Sequence, residues 1–154
     1  MPTHYAGKSG EVRALDAYIK LMRAADSVSG RAARHLAAAR LTLSQFGVLE
    51  ALLHLGPLCQ RDLGEKLLRS GGNIVMVVDN LEKRGLVKRQ RGKQDRRFVT
   101  VHLTGKGRRL IARTFPRHVA VLVEEMSALS ASEQEKLSRL CRRLGRGKNA
   151  GNSQ

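Results

Sequence analysis

Two cysteines and five histidines, with thirteen acidic side chains, are the groups this 154-residue chain could use for catalysis or metal binding. Their spacing argues against both. Cys59 and Cys141 stand far apart with no second cysteine nearby, which excludes the usual zinc and dithiol patterns and a disulfide framework. His4, His35, His54, His102 and His118 share no ligand spacing, and no paired carboxylate, nucleophile triad or phosphate-cradling glycine loop occurs. The chain therefore reads as a non-enzyme with no cofactor. Cys59 is the one redox candidate and reads instead as an inert buried thiol, because Arg61 is its only cationic neighbour in sequence. Cys141 falls on the apolar side of a helix and reads as core.

The chemistry that remains is cationic. Lys and Arg number 29 against 13 Asp and Glu, a net charge of +16 with a pI near 11.2. Residues 83 to 117 hold thirteen basic side chains and one acidic one, Asp95, so the excess is a patch and its partner should be a polyanion. Aromatic residues make up only 3%, too few for the stacking platforms of single-strand and RNA binders, which leaves duplex DNA. A membrane surface is excluded because no strongly amphipathic cationic helix stands outside the predicted fold. No apolar run is long enough to span a bilayer and the first residues lack a signal segment, so the expected location is cytoplasmic. The charge alone would equally suit a sequence-independent architectural DNA-binding protein.

Base-reading chemistry is concentrated in Ser70 to Gly85. Small and glycine residues at Ser70 to Asn73 suit a helix start, and Lys83-Arg84-Gly85 puts cations and a C′ glycine at its end. Ile74, Val77, Val78 and Leu81 share one face, which must pack inward. Asn73, Val75, Met76, Asp79, Asn80 and Lys83 point away. Asn73 can both donate and accept at a base edge, and Val75 and Met76 can pack on thymine methyl groups. Ser70 and the amides of Gly71 and Gly72 could hold a phosphate at the helix start.

Positioning this helix requires the elements around it. After a flexible lead-in over residues 1–10, Val12, Leu15, Ile19 and Met22 mark an amphipathic helix reaching about His35. Ser44 caps a second helix, with Phe46, Leu49, Leu52 and Leu53 inward and Gly56-Pro57 as its stop. Leu58-Cys59 is extended, and a third helix spans about Gln60 to Leu68. Two short helices joined by a glycine-containing turn form a helix-turn-helix. Residues 86–91 and 98–103 alternate as strands around a turn at Gly92 to Asp95, making a basic hairpin that also carries Arg97, with Lys88, Arg91, Lys93 and Arg96 placed for phosphates. Thr104 caps a long helix, kinked at Pro116. The box Ser130-x-x-Glu133 starts a last helix with Leu137, Leu140, Cys141 and Leu144 inward. Residues 145–154 read as a disordered tail. The fold class is mainly α with a small β-hairpin wing: one domain over 11–144, its winged helix-turn-helix at about 41–103 and further helices at about 11–36 and 104–144.

Val78-Asp-Asn-Leu-Glu-Lys-Arg-Gly-Leu-Val87, Asp95-Arg-Arg97 and Val101-His-Leu-Thr-Gly-Lys-Gly107, in that order and spacing, resemble the MarR family of winged helix-turn-helix transcriptional regulators over roughly residues 12–144. Gly72-Asn-Ile with the Val-Asp-Asn-Leu motif resembles most the phenol- and quinone-responsive branch. The resemblance implies a homodimer whose first and last two helices interlock, reading a palindromic operator as a repressor released by a small phenolic or quinone-like effector. It implies that Arg97 enters the minor groove with Asp95 orienting it. It also implies an effector crevice between the dimerisation helices and the winged domain, which Tyr18, Met22, Phe46 and His54 could line. Val75 and Met76 depart from the polar or basic residues common in the family, and predict a site richer in A·T pairs.

Overall fold

The computed structural model describes residues 4–67 and 73–147, and its element order is α1 (Ser9–Arg34), a 3-10 helix (His35–Ala39), α2 (Leu43–Leu55), β1 (Leu58–Cys59), α3 (Gln60–Leu67), α4 (Ile74–Lys83), β2 (Val87–Arg91), β3 (Val99–Leu103), α5 (Gly105–Met126) and α6 (Ala131–Arg146). Leu49 of α2, Leu63 of α3, Val78 and Leu81 of α4, Val101 of β3 and Ile111 of α5 are fully buried in one core. The expected inward face of α4 is the observed one: Val78 and Leu81 are buried and Ile74 and Val77 pack partly against the same cluster. The β-hairpin is joined by a third strand, so the sheet order is β1-β3-β2, antiparallel throughout. Leu58 pairs with Val101 and Arg89 with Val101 on the other side, which places the short β1 piece in the base of the wing.

The two ends of the winged unit are fixed by local polar chemistry. At its start Thr42, not Ser44, caps α2: its hydroxyl accepts from Gln45 N–H at 3.1 Å while the Gln45 carbonyl oxygen accepts from Thr42 N–H at 3.1 Å. Thr42 wins because it has glutamine three residues on, and Ser44, two residues later, already lies inside the helix. At its end, α4 closes with Gly85 at φ +68, Gly85 N–H donating to the Glu82 carbonyl and Leu86 N–H to the Leu81 carbonyl. These are the paired bonds of a Schellman stop, which needs the left-handed conformation glycine adopts freely. Thr104 then caps α5 as expected, its hydroxyl accepting from Gly107 N–H at 3.0 Å and donating to the Gly85 carbonyl at 2.7 Å.

Three further expectations need correction. Helix α1 begins at Ser9, inside the stretch expected to be flexible, because Glu11 accepts from Lys8 N–H and closes the first turn. Helix α6 runs to Arg146, past the expected start of the tail, and ends on Gly147 at φ +69. No residue of α6 is buried within the chain: Leu137, Leu140 and Leu144 are exposed, and so is Cys141. The apolar stripe is real, but α6 turns it away from this chain's core. The capping box that starts α6 is as expected, with Ser130 N–H donating to Glu133 at 2.8 Å. That backbone N–H, with the Ser130 hydroxyl, holds the Glu133 carboxyl below its ordinary pKa.

Candidate nucleic-acid interface

Helix α4 presents Asn73, Val75, Met76, Asn80 and Lys83 to solvent. Asn73 sits at the N-cap position, yet among the described residues its side chain makes no capping bond, so its amide is free for another partner. Val75 and Met76 are 54% and 57% exposed on an otherwise well-packed helix. Ser70, Gly71 and Gly72 lie outside the described residues.

What holds this helix against the wing is Arg89, a residue that sequence reasoning passed over. From β2 its guanidinium donates to Glu82 at 2.9 Å, to the Val75 carbonyl at 3.0 Å and to the Gln60 side-chain carbonyl at 2.8 Å, and it pairs with Asp79 at 2.6 Å. Its backbone N–H donates to the other Glu82 oxygen at 2.9 Å. One side chain thereby joins α3, α4 and β2. Its single charge also offsets one of the two negative charges of Asp79 and Glu82, on a helix whose outer face would otherwise repel phosphate more strongly. A signal was present in the sequence: Asp79 and Glu82, three apart at the edge of a basic stretch, require a counterion.

In the loop between β2 and β3, Asp95 and Arg97 come together as the resemblance implied. Arg97 Nε and Nη2 each approach an Asp95 oxygen at 3.2 Å, and Arg97 N–H donates to the same carboxylate at 2.9 Å. These bonds, the side-chain ones first, hold the Asp95 carboxyl below its ordinary pKa. The Arg97 side chain nevertheless stands 92% exposed. Lys88, Arg91, Lys93 and Arg96 are exposed beside it. Behind the loop, Cys59 is half-buried and borders a cavity of about 310 Å³ with Arg61, Asp95, Arg97 and Phe98. Arg84 and Lys106 are spent differently: Lys106 donates to the Arg84 carbonyl at 2.9 Å, and Arg84 reaches back to the Ala39 and Arg40 carbonyls. The basic stretch is thus divided between structural cations and free ones.

The sequence pattern of the MarR family matches residues 41–99, the span from the cap of α2 to the start of β3. The transcriptional regulator MhqR of Bacillus subtilis is 35% identical over 133 residues, covering 86% of this chain and 92% of that protein. The chain belongs to the MarR family. A second Bacillus subtilis relative, the uncharacterized HTH-type transcriptional regulator YkoM, is 34% identical over 86% of both chains. Among solved structures, Bordetella bronchiseptica BpsR, whose DNA binding is regulated by 6-hydroxynicotinic acid, aligns with a TM-score of 0.76 at 25% identity, over 84% of this chain and 98% of that one. This MarR-family protein is accordingly a DNA-binding transcriptional regulator of winged-helix fold.

Of the four side chains expected to line an effector crevice, Tyr18 and Met22 are exposed on α1 and His54 is exposed on α2. His54 contacts Phe115 edge-on at 4.7 Å. Phe46 is only 2% exposed and is stacked among Phe115 and His118, so it offers no surface to a ligand. Its ring belongs to the core because α2 turns that face onto α5.

Proposed function

We propose that this MarR-family regulator acts as a homodimeric repressor on a palindromic operator, and that a small phenolic or quinone-like molecule releases it. The observation that carries the reading is the pairing of an outward, unengaged face on α4 with a carboxylate-held arginine in the wing, the two braced together by Arg89. The helix reads base edges in the major groove through Asn73, Val75 and Met76, and Arg97, oriented by Asp95, enters the adjacent minor groove. Lys88, Arg91, Lys93 and Arg96 contribute affinity through phosphates. Ser70, Gly71 and Gly72 are assigned to the phosphate at the helix start.

Homodimerisation is supported by apolar side chains that this chain leaves uncovered on α1, α5 and α6: Met22, Val119, Val123, Leu137, Leu140 and Leu144. A ten-residue helix is roughly 15 Å long and covers a few base pairs, so two copies are needed to specify a site. For the effector, the regulation of BpsR DNA binding by 6-hydroxynicotinic acid supports a small aromatic molecule, and Tyr18, Met22 and His54 mark where to look. Selection of random duplexes by the pure protein tests the operator reading. Enrichment of an A·T-rich inverted repeat, with half-site centres about one helical turn apart, is expected. Recovery of unrelated duplexes in proportion to their abundance would leave only a sequence-independent binder.

A further inference from the structure

Helix α6 carries a second stripe besides its leucines. From Lys136 to Arg146 it holds five cations and no carboxylate, and all five cations are exposed. Lys136, Arg139, Arg143 and Arg146 follow one another at spacings of three and four with Arg142 beside them, so they share the face opposite Leu137, Leu140 and Leu144. The two acidic residues of α6, Glu133 and Glu135, both precede this ridge, and Glu133 is committed to the Ser130 N–H. Elsewhere the chain pairs exposed helical cations with carboxylates four residues away, Lys20 with Asp16 and Arg61 with Glu65. Among the described residues none of the five on α6 is in an ion pair. The helix dipole accounts for the cations of the last turn, Arg143 and Arg146, but its effect fades before Lys136 and Arg139 are reached.

The ridge stands well away from the surface that reads bases. Helix α5, 22 residues and about 33 Å long, runs from the base of the wing to the turn before α6. Gln134 fastens the start of α6 to that turn, its Nε2 donating to the Met126 and Leu129 carbonyls at 3.0 Å, and no residue of α6 is buried against the rest of the chain. A duplex seated on α4 and Arg97 therefore lies at the opposite end of α5. Charge density identifies a partner for the ridge. Its five cations span ten residues of helix, about 15 Å, or one charge per roughly 3 Å, against one phosphate per roughly 3.4 Å along a single DNA strand. Four of the five are arginines, whose forked donors match phosphate oxygens.

We infer that the cationic face of α6 is a second nucleic-acid surface, which takes the phosphate backbone of a further duplex segment, so that one dimer holds two segments of DNA at once. The inference rests on the homodimer proposed above, in which the second copy covers the leucine stripe and leaves the cations as the face that α6 shows to solvent. It does not depend on which bases α4 reads. Contacts to phosphate alone carry no sequence information, so the second segment is held whatever its sequence. An anionic lipid surface fits less well, because it would take the leucine stripe together with the cations, and that stripe is the face the second copy needs.

Energy transfer between two duplexes of one sequence, one carrying a donor dye and the other an acceptor, tests the surface when they are mixed with the full chain at one dimer per two duplexes and fixed salt. Transfer is expected with the wild type. In the variant with Arg139, Arg142, Arg143 and Arg146 all replaced by Gln it should fall at least tenfold, while affinity for a single duplex stays within twofold. Replacing the same four by Lys keeps the charge and should keep the transfer. No transfer with the wild type, or undiminished transfer with the Gln variant, overturns the second surface. Equal loss in the Gln and Lys variants assigns the effect to the helix rather than its charge and overturns it too. Wild-type protein that sediments with vesicles of phosphatidylcholine and phosphatidylserine and shows no transfer gives the ridge to a lipid surface instead. Transfer that is the same for the selected repeat and a scrambled duplex, and is lost in the Gln variant, refutes base reading by α4 and leaves the ridge standing.

Discussion

Arg89 has 20% of its side chain in solvent and Arg97 has 92%, although each guanidinium is paired with carboxylate. Exposure separates their effects. Water and salt screen the Asp95–Arg97 pair, so it contributes little to stability; in the proposed reading it limits the arginine's freedom before the side chain enters the minor groove. Arg97→Ala should therefore weaken operator binding by about 1–3 kcal/mol while leaving unfolding by urea unchanged. Arg89→Gln should cost both: about 1–3 kcal/mol of stability, since Glu82 and Asp79 lose their charged donor, and operator affinity through a loosened α4. Equal stability losses in the two variants would contradict this division. At His118 the quantity that matters is the proton. Burial, and then the nearby His35, lower its pKa from 6.5, so the unfolded chain takes up the proton first as pH falls. Stability should hold above about pH 6.5 and decline below it, down to the lowered folded-state pKa. Thermal unfolding at pH 7.5 and 5.5 should show a larger drop for the wild type than for His118→Asn, and equal drops would remove the imidazole as the cause.

Among the elements, the start of α5 grips the end of α4. Thr104 and Lys106 take the carbonyls of Gly85 and Arg84 at the end of α4, and Gly107 lies so close to Leu86 that an added Cβ would stand 1.9 Å from its carbonyl oxygen. Gly107→Ala must push α5 off the bend between α4 and β2, at a cost of about 1–3 kcal/mol, and guanidinium unfolding would register it. A change below 0.5 kcal/mol would mean that the contact relaxes freely. The Thr104-Gly-Lys-Gly107 stretch thus has a physical meaning that the linear sequence conveyed only as a cap. The boundaries of α4 and the hairpin were legible because Gly85, the apolar periodicity and the strand alternation are local signals. Thr42 and Arg89 were harder to see for different reasons. Choosing Thr42 over Ser44 depends on Gln45 reaching back, and Arg89's role depends on three elements meeting in space.

For the molecule as a whole, the sequence marked which stripes are apolar but not what covers them. Leu137, Leu140, Cys141 and Leu144 looked like core because periodicity cannot tell an intrachain partner from a second copy. Within the chain no residue of α6 is buried, which a free helix of this composition would not tolerate in water without a partner surface. Leu140→Glu should convert a dimer into monomers in sedimentation at micromolar concentration; a wild type that sediments as a monomer would refute the dimer outright. Division of labour across the molecule follows: Arg84, Arg89 and Lys106 of the basic stretch build the fold, and the proposed reading gives exposed members such as Lys88, Arg91, Lys93 and Arg96 to phosphate.

The most direct test of the central claim is the ratio of affinities for the selected palindrome and for a scrambled duplex of the same length, measured by fluorescence anisotropy at one fixed salt concentration. A regulator that reads bases through α4 and the wing should prefer the palindrome by about 10³ or more. A ratio near one, with both affinities collapsing together as salt is raised, would contradict base reading and leave only the charge.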